Sequence, residues 1–146
     1  MDIPEELKRN LLNELEFVVK KMKEESDASK KMYFFTATYA AIERVMRYYS
    51  NNELAIAHAI LNLCYNTLND RIHRLKGGDA AVPLPQNLFE QLVNYTEEFR
   101  RAIEENKSTY PILEKFIELA YLSTGPGFYS RSLLEYLKSR EHAPEG

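Results

Sequence analysis

The sequence predicts an all-α fold: a single-domain antiparallel helical bundle of about four long helices plus two short C-terminal helices. Three observations carry that expectation. Glycine and proline gather at a few joints, with Gly77, Gly78, Gly125, Gly127 and Gly146 beside Pro4, Pro83, Pro85, Pro111, Pro126 and Pro144. Between those joints apolar residues recur at steps of three and four. No segment of the sequence alternates as a half-buried strand does. Residues 1–140 are expected to form the domain, with the tail EHAPEG (141–146) frayed.

The first helix is expected to be capped by Asp2, with Glu5 three residues on as its capping-box partner. Leu7, Leu11, Leu15, Val18 and Met22 then make one apolar stripe. A break near Ser26–Ser29 leads to a second helix over Ala28–Tyr49, and Ser50 and Asn51 separate it from a third. That third helix begins near Asn52 and stops before Gly77, where GGDAAVPLP forms the longest non-helical connection. Leu88, Leu92, Tyr95, Phe99 and Ala102 share one face of the fourth helix. Ser108 or Thr109 is placed to cap the fifth, with Pro111 in its first turn, where a missing N–H costs nothing. After the turn Ser-Thr-Gly-Pro-Gly, a last short helix carries Tyr129, Leu133, Tyr136 and Leu137. Phe128 after that turn reads as a hydrophobic anchor rather than a docking element.

Composition removes several function classes. The chain has 146 residues, 45% apolar and 28% charged, so it can bury a core without disulfides or metals. Its net charge of −3 supplies no bulk attraction to nucleic acid or an anionic membrane. Cys64 is the only cysteine, lies in an apolar helical stretch and is expected to be a small buried hydrophobe. The stretch MDIPEELKRN is charged from its second residue and does not read as a signal peptide. The longest uncharged stretch, Leu54–Asn69, has 16 residues with His58, Asn62, Asn66 and Asn69 in it, too short and too polar to span a bilayer. A cytoplasmic protein is the expectation.

The second and third helices are richer in apolar residues than a surface helix needs. On the third, Leu54, Ala57, Leu61, Cys64, Tyr65, Leu68, Ile72 and Leu75 form one arc, and Ile56, Ile60 and Leu63 form another nearly opposite. A strip of Ala55, Ala59, Asn62, Asn66, Asn69, Asp70 and His73 runs between them. On the second, Phe35, Tyr39, Ile42, Val45, Met46 and Tyr49 share a face that Phe34, Ala41 and Tyr48 extend sideways. These second arcs are either filled core or the contact with another subunit. The interface expectation rests on Phe34, Ala41, Tyr48, Ile56, Ile60 and Leu63, with Asn62 and Asn66 as a solvated strip or a polar network at the contact. It makes the chain a non-enzymatic homodimer, the commonest symmetric assembly, or the partner of another protein.

Catalytic and metal chemistry find little support in the residues. Asp70 and His73 share a helix face, but a di-metal bundle needs two Glu-x-x-His pairs, and the sequence holds one Asp-x-x-His and no Glu-x-x-His. No metal and no cofactor is expected. Glu43 reads as an exposed partner of Arg47 at i+4, and Glu53 as a first-turn acid that offsets the helix dipole. With no strands there is no strand-bound phosphate loop. In fold class alone the chain resembles the HEPN helical ribonucleases, which carry an Arg, four to six residues, then a His. Here the spacings are Arg71-x-His73, Arg140-x-His142 and Arg47 eleven residues before His58, so only Arg71 and His73 are left to carry such an activity.

Nucleic-acid binding without catalysis is the second expectation, as a small helical subunit of a ribonucleoprotein complex. It would use Arg44, Arg47, Arg71, Arg74, Lys76, Arg100 and Arg101, with Tyr48 and Tyr49 for stacking, although each Arg is matched by a nearby Glu or Asp and the overall charge is acidic. Asp70 and His73 complete the alternative set for nucleic acid or metal.

Overall fold

A computed structural model describes residues 1–76, 87–120, 132, 134–136, 138 and 139. The chain is an all-α helical bundle. Its helices are α1 (Glu5–Glu24), α2 (Ala28–Met46), α3 (Asn52–Lys76), α4 (Leu88–Glu104) and α5 (Tyr110–Ala120). Residues 134–136, 138 and 139 are also helical, and Leu134 is buried. The expected connection Gly77–Pro85, the turn before Phe128, Tyr129, Leu133, Leu137 and the tail lie outside the described residues, as do the side chains of Arg74, Leu75 and Lys76.

The helices close into a ring. α1 packs on α2 and α4, α2 also packs on α3, and α5 completes the circle against α3 and α4. Their directions follow from a few side chains. Lys31 Nζ of α2 donates to the Met22 carbonyl in the last turn of α1 (2.8 Å), so α2 turns back at that end. Lys8 Nζ reaches Asn106 Oδ1 just beyond α4 (2.9 Å), which sets α4 antiparallel to α1. Lys115 on Glu98 ties α5 back along α4. Five helices that alternate in direction cannot close without one like-directed pair, and that pair is α3 with α5. Phe35 of α2 and Tyr95 of α4 both meet the Phe116 ring of α5, with centroids 6.2 and 5.8 Å apart, and so fill the middle. Such aromatic contacts add about 0.5–1.5 kcal/mol each beyond their buried area.

The ends of the helices differ from the sequence expectation in two places. α1 starts at Glu5, behind an extended Pro4 (ψ 137°), and Asp2 makes no cap. A capping box from Asp2 would require Pro4 to be helical already, and the residue before a proline is pushed away from helical geometry as well. α2 ends at Met46, where the Tyr48 and Tyr49 amides both donate to the Val45 carbonyl (3.0 Å each) and tighten the last turn. Of the two residues expected to cap α5, Ser108 accepts from Tyr110 N at Oγ (3.3 Å), while the Thr109 hydroxyl donates to Glu53. Asp27 and Asn51 also act as side-chain caps: Asp27 Oδ1 accepts from Lys30 N (3.0 Å), and Asn51 Oδ1 accepts from Glu53 N (2.7 Å).

The two apolar arcs of α3 are both internal. Ile56 is 5% exposed and Ile60 is 0% exposed within the single chain, and Leu63 packs against the same core. This corrects the expectation that Ile56 and Ile60 face another subunit. A helix in a closed ring has a neighbour on each side, so it needs an apolar flank for each as well as a face toward the middle. By helical spacing Ile60 lies on the side of Glu53, which reaches α5, while Tyr65 lies toward Tyr39 of α2, 5.9 Å away between ring centroids. Cys64 is fully buried, and burial pushes its thiol up to about 12, in keeping with a structural role.

Candidate interaction face

The largest exposed apolar side chains of the described residues are Phe17, Tyr33, Tyr48 and Tyr136. The first three lie on α1 and α2 or just beyond α2. Phe17 sits roughly 130° from the core stripe of Leu11, Leu15, Val18 and Met22 on a 100° wheel. It is 46% exposed and stands edge-on to the half-buried Phe34, with centroids 6.3 Å apart. Tyr33, 69% exposed, stands edge-on to Phe34 from the other side at 5.9 Å. Lys21 covers one side of this cluster, its ammonium 5.7 Å from the Phe17 ring centre. Three aromatic rings therefore meet at the surface where α1 and α2 touch.

Along the same seam, toward the start of α1, runs a groove of about 480 Å³. Leu7, Asn10 and Glu14 line it from α1, and Ala41, Arg44 and Tyr48 from the α2 side. Phe34, Ala41 and Tyr48 are seven residues apart, so they fall in one row along this seam. Ala41 is buried and forms part of the floor, whereas Tyr48 is 79% exposed at the rim. Arg44 is paired with Glu14 across the groove at 3.2 Å, an exposed pair of small energetic weight.

The remaining candidate residues are not brought to this face. Asn66 Nδ2 donates to Asn62 Oδ1 (3.1 Å), one helical turn away, and Asn66 is exposed: an amide pair on the outer strip of α3. His73 is also exposed, with Nδ1 2.7 Å from the Asn69 carbonyl oxygen of its own helix. Asp70 is exposed and Arg71 half-buried farther along the same helix. Among the described residues no group of three or more His, Cys, Asp or Glu side chains is placed to hold a metal. The cations expected to gather for nucleic acid are dispersed over α2, α3 and α4. Arg100 is gripped by Glu97 and Glu104, and Arg101 lies 3.8 Å from Glu97.

A second polar cluster lies between α2 and α3. Glu43 is met by His58 of α3, with Oε2 and Nε2 3.7 Å apart, a tertiary partner the i+4 spacing to Arg47 did not suggest. The His58 ring stands edge-on to Tyr39 at 6.0 Å. Partial burial, then the neighbouring Tyr65, raises the Tyr39 phenol above its ordinary value.

No family model matches the chain, and no curated protein or solved structure matches it either. Phe17 and Tyr33 are the functional candidates that sequence reasoning passed over. The signal for Phe17 was present: a phenylalanine on the polar side of a helix whose core stripe was already complete.

Proposed function

We propose that the protein works by association, as a homodimer joined through the face that α1 and α2 share. The observation that carries this reading is the surface cluster of Phe17, Phe34 and Tyr33. Aromatic rings are the commonest anchors of binding energy in protein contacts, and they act where neighbours exclude water from them. Phe34 and Tyr48 remain as interface residues from the sequence reading, with Ala41 as the groove floor. The α3 residues Ile56 and Ile60 leave it because they are core. The reading assigns no catalytic step, no cofactor and no metal.

The setting proposed is the cytosol. Among the described residues no helix is long and apolar enough to cross a membrane. The single cysteine also gains nothing from an oxidising compartment.

The test is a paired substitution, Phe17→Ser with Tyr33→Ser, followed by sedimentation velocity and far-ultraviolet circular dichroism. Both side chains are substantially exposed, so helicity should hold while the dimer falls to monomer. An unchanged sedimentation coefficient would overturn this face as the contact. Lys20, Lys21 and Lys23 lie beside Phe17, and cations around an exposed ring are also what single-stranded nucleic acid stacks on. The net charge of −3 and the carboxylates paired with Arg44 and Arg100 favour the protein contact. A labelled single-stranded RNA should therefore not be retained at low salt. Retention that falls steeply with salt would favour the nucleic-acid reading instead.

A further inference from the structure

We infer that two copies of this chain meet with their α1 helices antiparallel, about a two-fold axis that passes near Asn13. The inference rests on the homodimer reading and adds the orientation and the register. At 100° per residue, Glu6, Asn13, Phe17 and Lys20 fall within about 60° of one another on the side of α1 away from its core stripe. Glu6, Asn13 and Lys20 are exposed along with Phe17.

The charges on this side are divided by end. Glu5 and Glu6 lie in the first turn, and Lys20, Lys21 and Lys23 near the last; the exposed Arg9 and Glu16 lie between them at the edge of this face, whose centre holds the uncharged Asn13. A parallel pairing would set Glu6 on Glu6 and Lys20 on Lys20, like charge on like. An antiparallel pairing centred on Asn13 sets Glu6 of each copy opposite Lys20 of the other, twice over. It also carries Phe17 toward Arg9 of the second copy, where a guanidinium can lie over the ring. The aromatic cluster at one end of the seam moves at the same time toward the open groove at the other end of the partner's seam. An isologous contact requires this self-complementarity, because one patch must serve as both halves. A shallow, open depression bordered by Asn13, Phe17 and Lys20 lies on this side of α1.

Cysteine substitutions read the orientation directly, because Cys64 is buried and does not compete. Three single variants, Glu6→Cys, Asn13→Cys and Lys20→Cys, are oxidised mildly and run without reductant. An equimolar mixture of the Glu6→Cys and Lys20→Cys chains is treated in the same way. Antiparallel pairing predicts that Asn13→Cys alone shifts from 17.1 kDa to twice that mass. Glu6→Cys and Lys20→Cys should each remain monomeric on the gel, and their mixture should cross-link. Self-cross-linking of Glu6→Cys and of Lys20→Cys, with none specific to the mixture, would overturn the antiparallel order. If no variant cross-links while the native chain still sediments as a dimer, the antiparallel α1 contact is wrong and only self-association itself survives. A native chain that sediments as a monomer overturns both.

Discussion

The carboxylate of Glu53 accepts hydrogen bonds from both the backbone N–H and the hydroxyl of Thr109, at 2.9 and 2.8 Å. Glu53 lies in the first turn of α3 and Thr109 at the start of α5, so one buried acid serves the N-termini of two parallel helices. Both helix dipoles present their positive ends to it. The like-directed pair that closes the ring is thereby joined at the end where two positive ends would otherwise face each other.

Glu53→Ala should destabilise the fold by about 3 kcal/mol, because it leaves the Thr109 donors buried and unmet. Thr109→Val keeps the backbone bond and loses only the hydroxyl, so its cost should be about 1 kcal/mol. Urea denaturation of the two variants checks the order. Equal costs would mean that the capping bonds do not govern the α3–α5 contact.

Asn106 sits at φ 56° just past α4, and the Lys107 amide donates to the Ala102 carbonyl (2.8 Å), the six-to-one bond of a Schellman stop. Glycine tolerates that backbone and alanine does not. Asn106→Ala should cost more stability than Asn106→Gly, by about 1 kcal/mol. Both variants lose the acceptor for the buried Lys8 ammonium, so the difference isolates the backbone. Thermal melts that rank alanine equal to glycine would contradict the assignment.

Ile60→Asp should unfold the chain rather than dissociate a dimer, since its side chain is fully enclosed by the ring. The cost of an unpaired buried charge, several kcal/mol, is a large part of a typical domain's stability. Circular dichroism should show lost helicity. A helical monomer would mean that this arc of α3 faces outward after all.

Acid should weaken the α4 network. Hydrogen bonds from Arg100 hold the Glu97 carboxyl below its ordinary value. A carboxyl lowered in the folded state adds stability that is fully present above its unfolded pKa and is lost as pH falls through the folded one. Glu97→Gln should therefore flatten the fall in unfolding free energy below the ordinary glutamate range. A variant with the same acid limb as the native chain would show that the Arg100–Glu97 bonds contribute nothing to it.

The contrast between Pro4 and Glu53 shows how far the sequence is legible. Helix order and approximate ends follow from local signals: Pro4 before α1, the polar breaks at Ser26–Ser29 and Ser50–Asn51, and Pro111 in the first turn of α5, each of which acts on its own few residues. The misleading signal at Asp2 is also local: the capping pattern takes no account of the constraint that Pro4 places on its neighbours. Glu53 is different, since its partner lies 56 positions away and nothing near it in the sequence marks it as buried. The same holds for Glu43, whose partner His58 is on the next helix. For α3 the periodicity gave both arcs correctly but not their use. An arc against a fifth helix and an arc against a second subunit have the same spacing, and only the closed ring separates them. Of the proposed face, Phe34 and Tyr48 are legible in the sequence, because a wide aromatic face on α2 is a property of one helix. The seam itself needs Phe17, from another helix, and so appears only once α1 and α2 are packed.

Sedimentation equilibrium of the native chain, over a wide range of concentration, tests the central claim most directly. Self-association through the α1–α2 face predicts a mass of twice 17.1 kDa that gives way to the single-chain mass on dilution. A mass of 17.1 kDa at every concentration would contradict it.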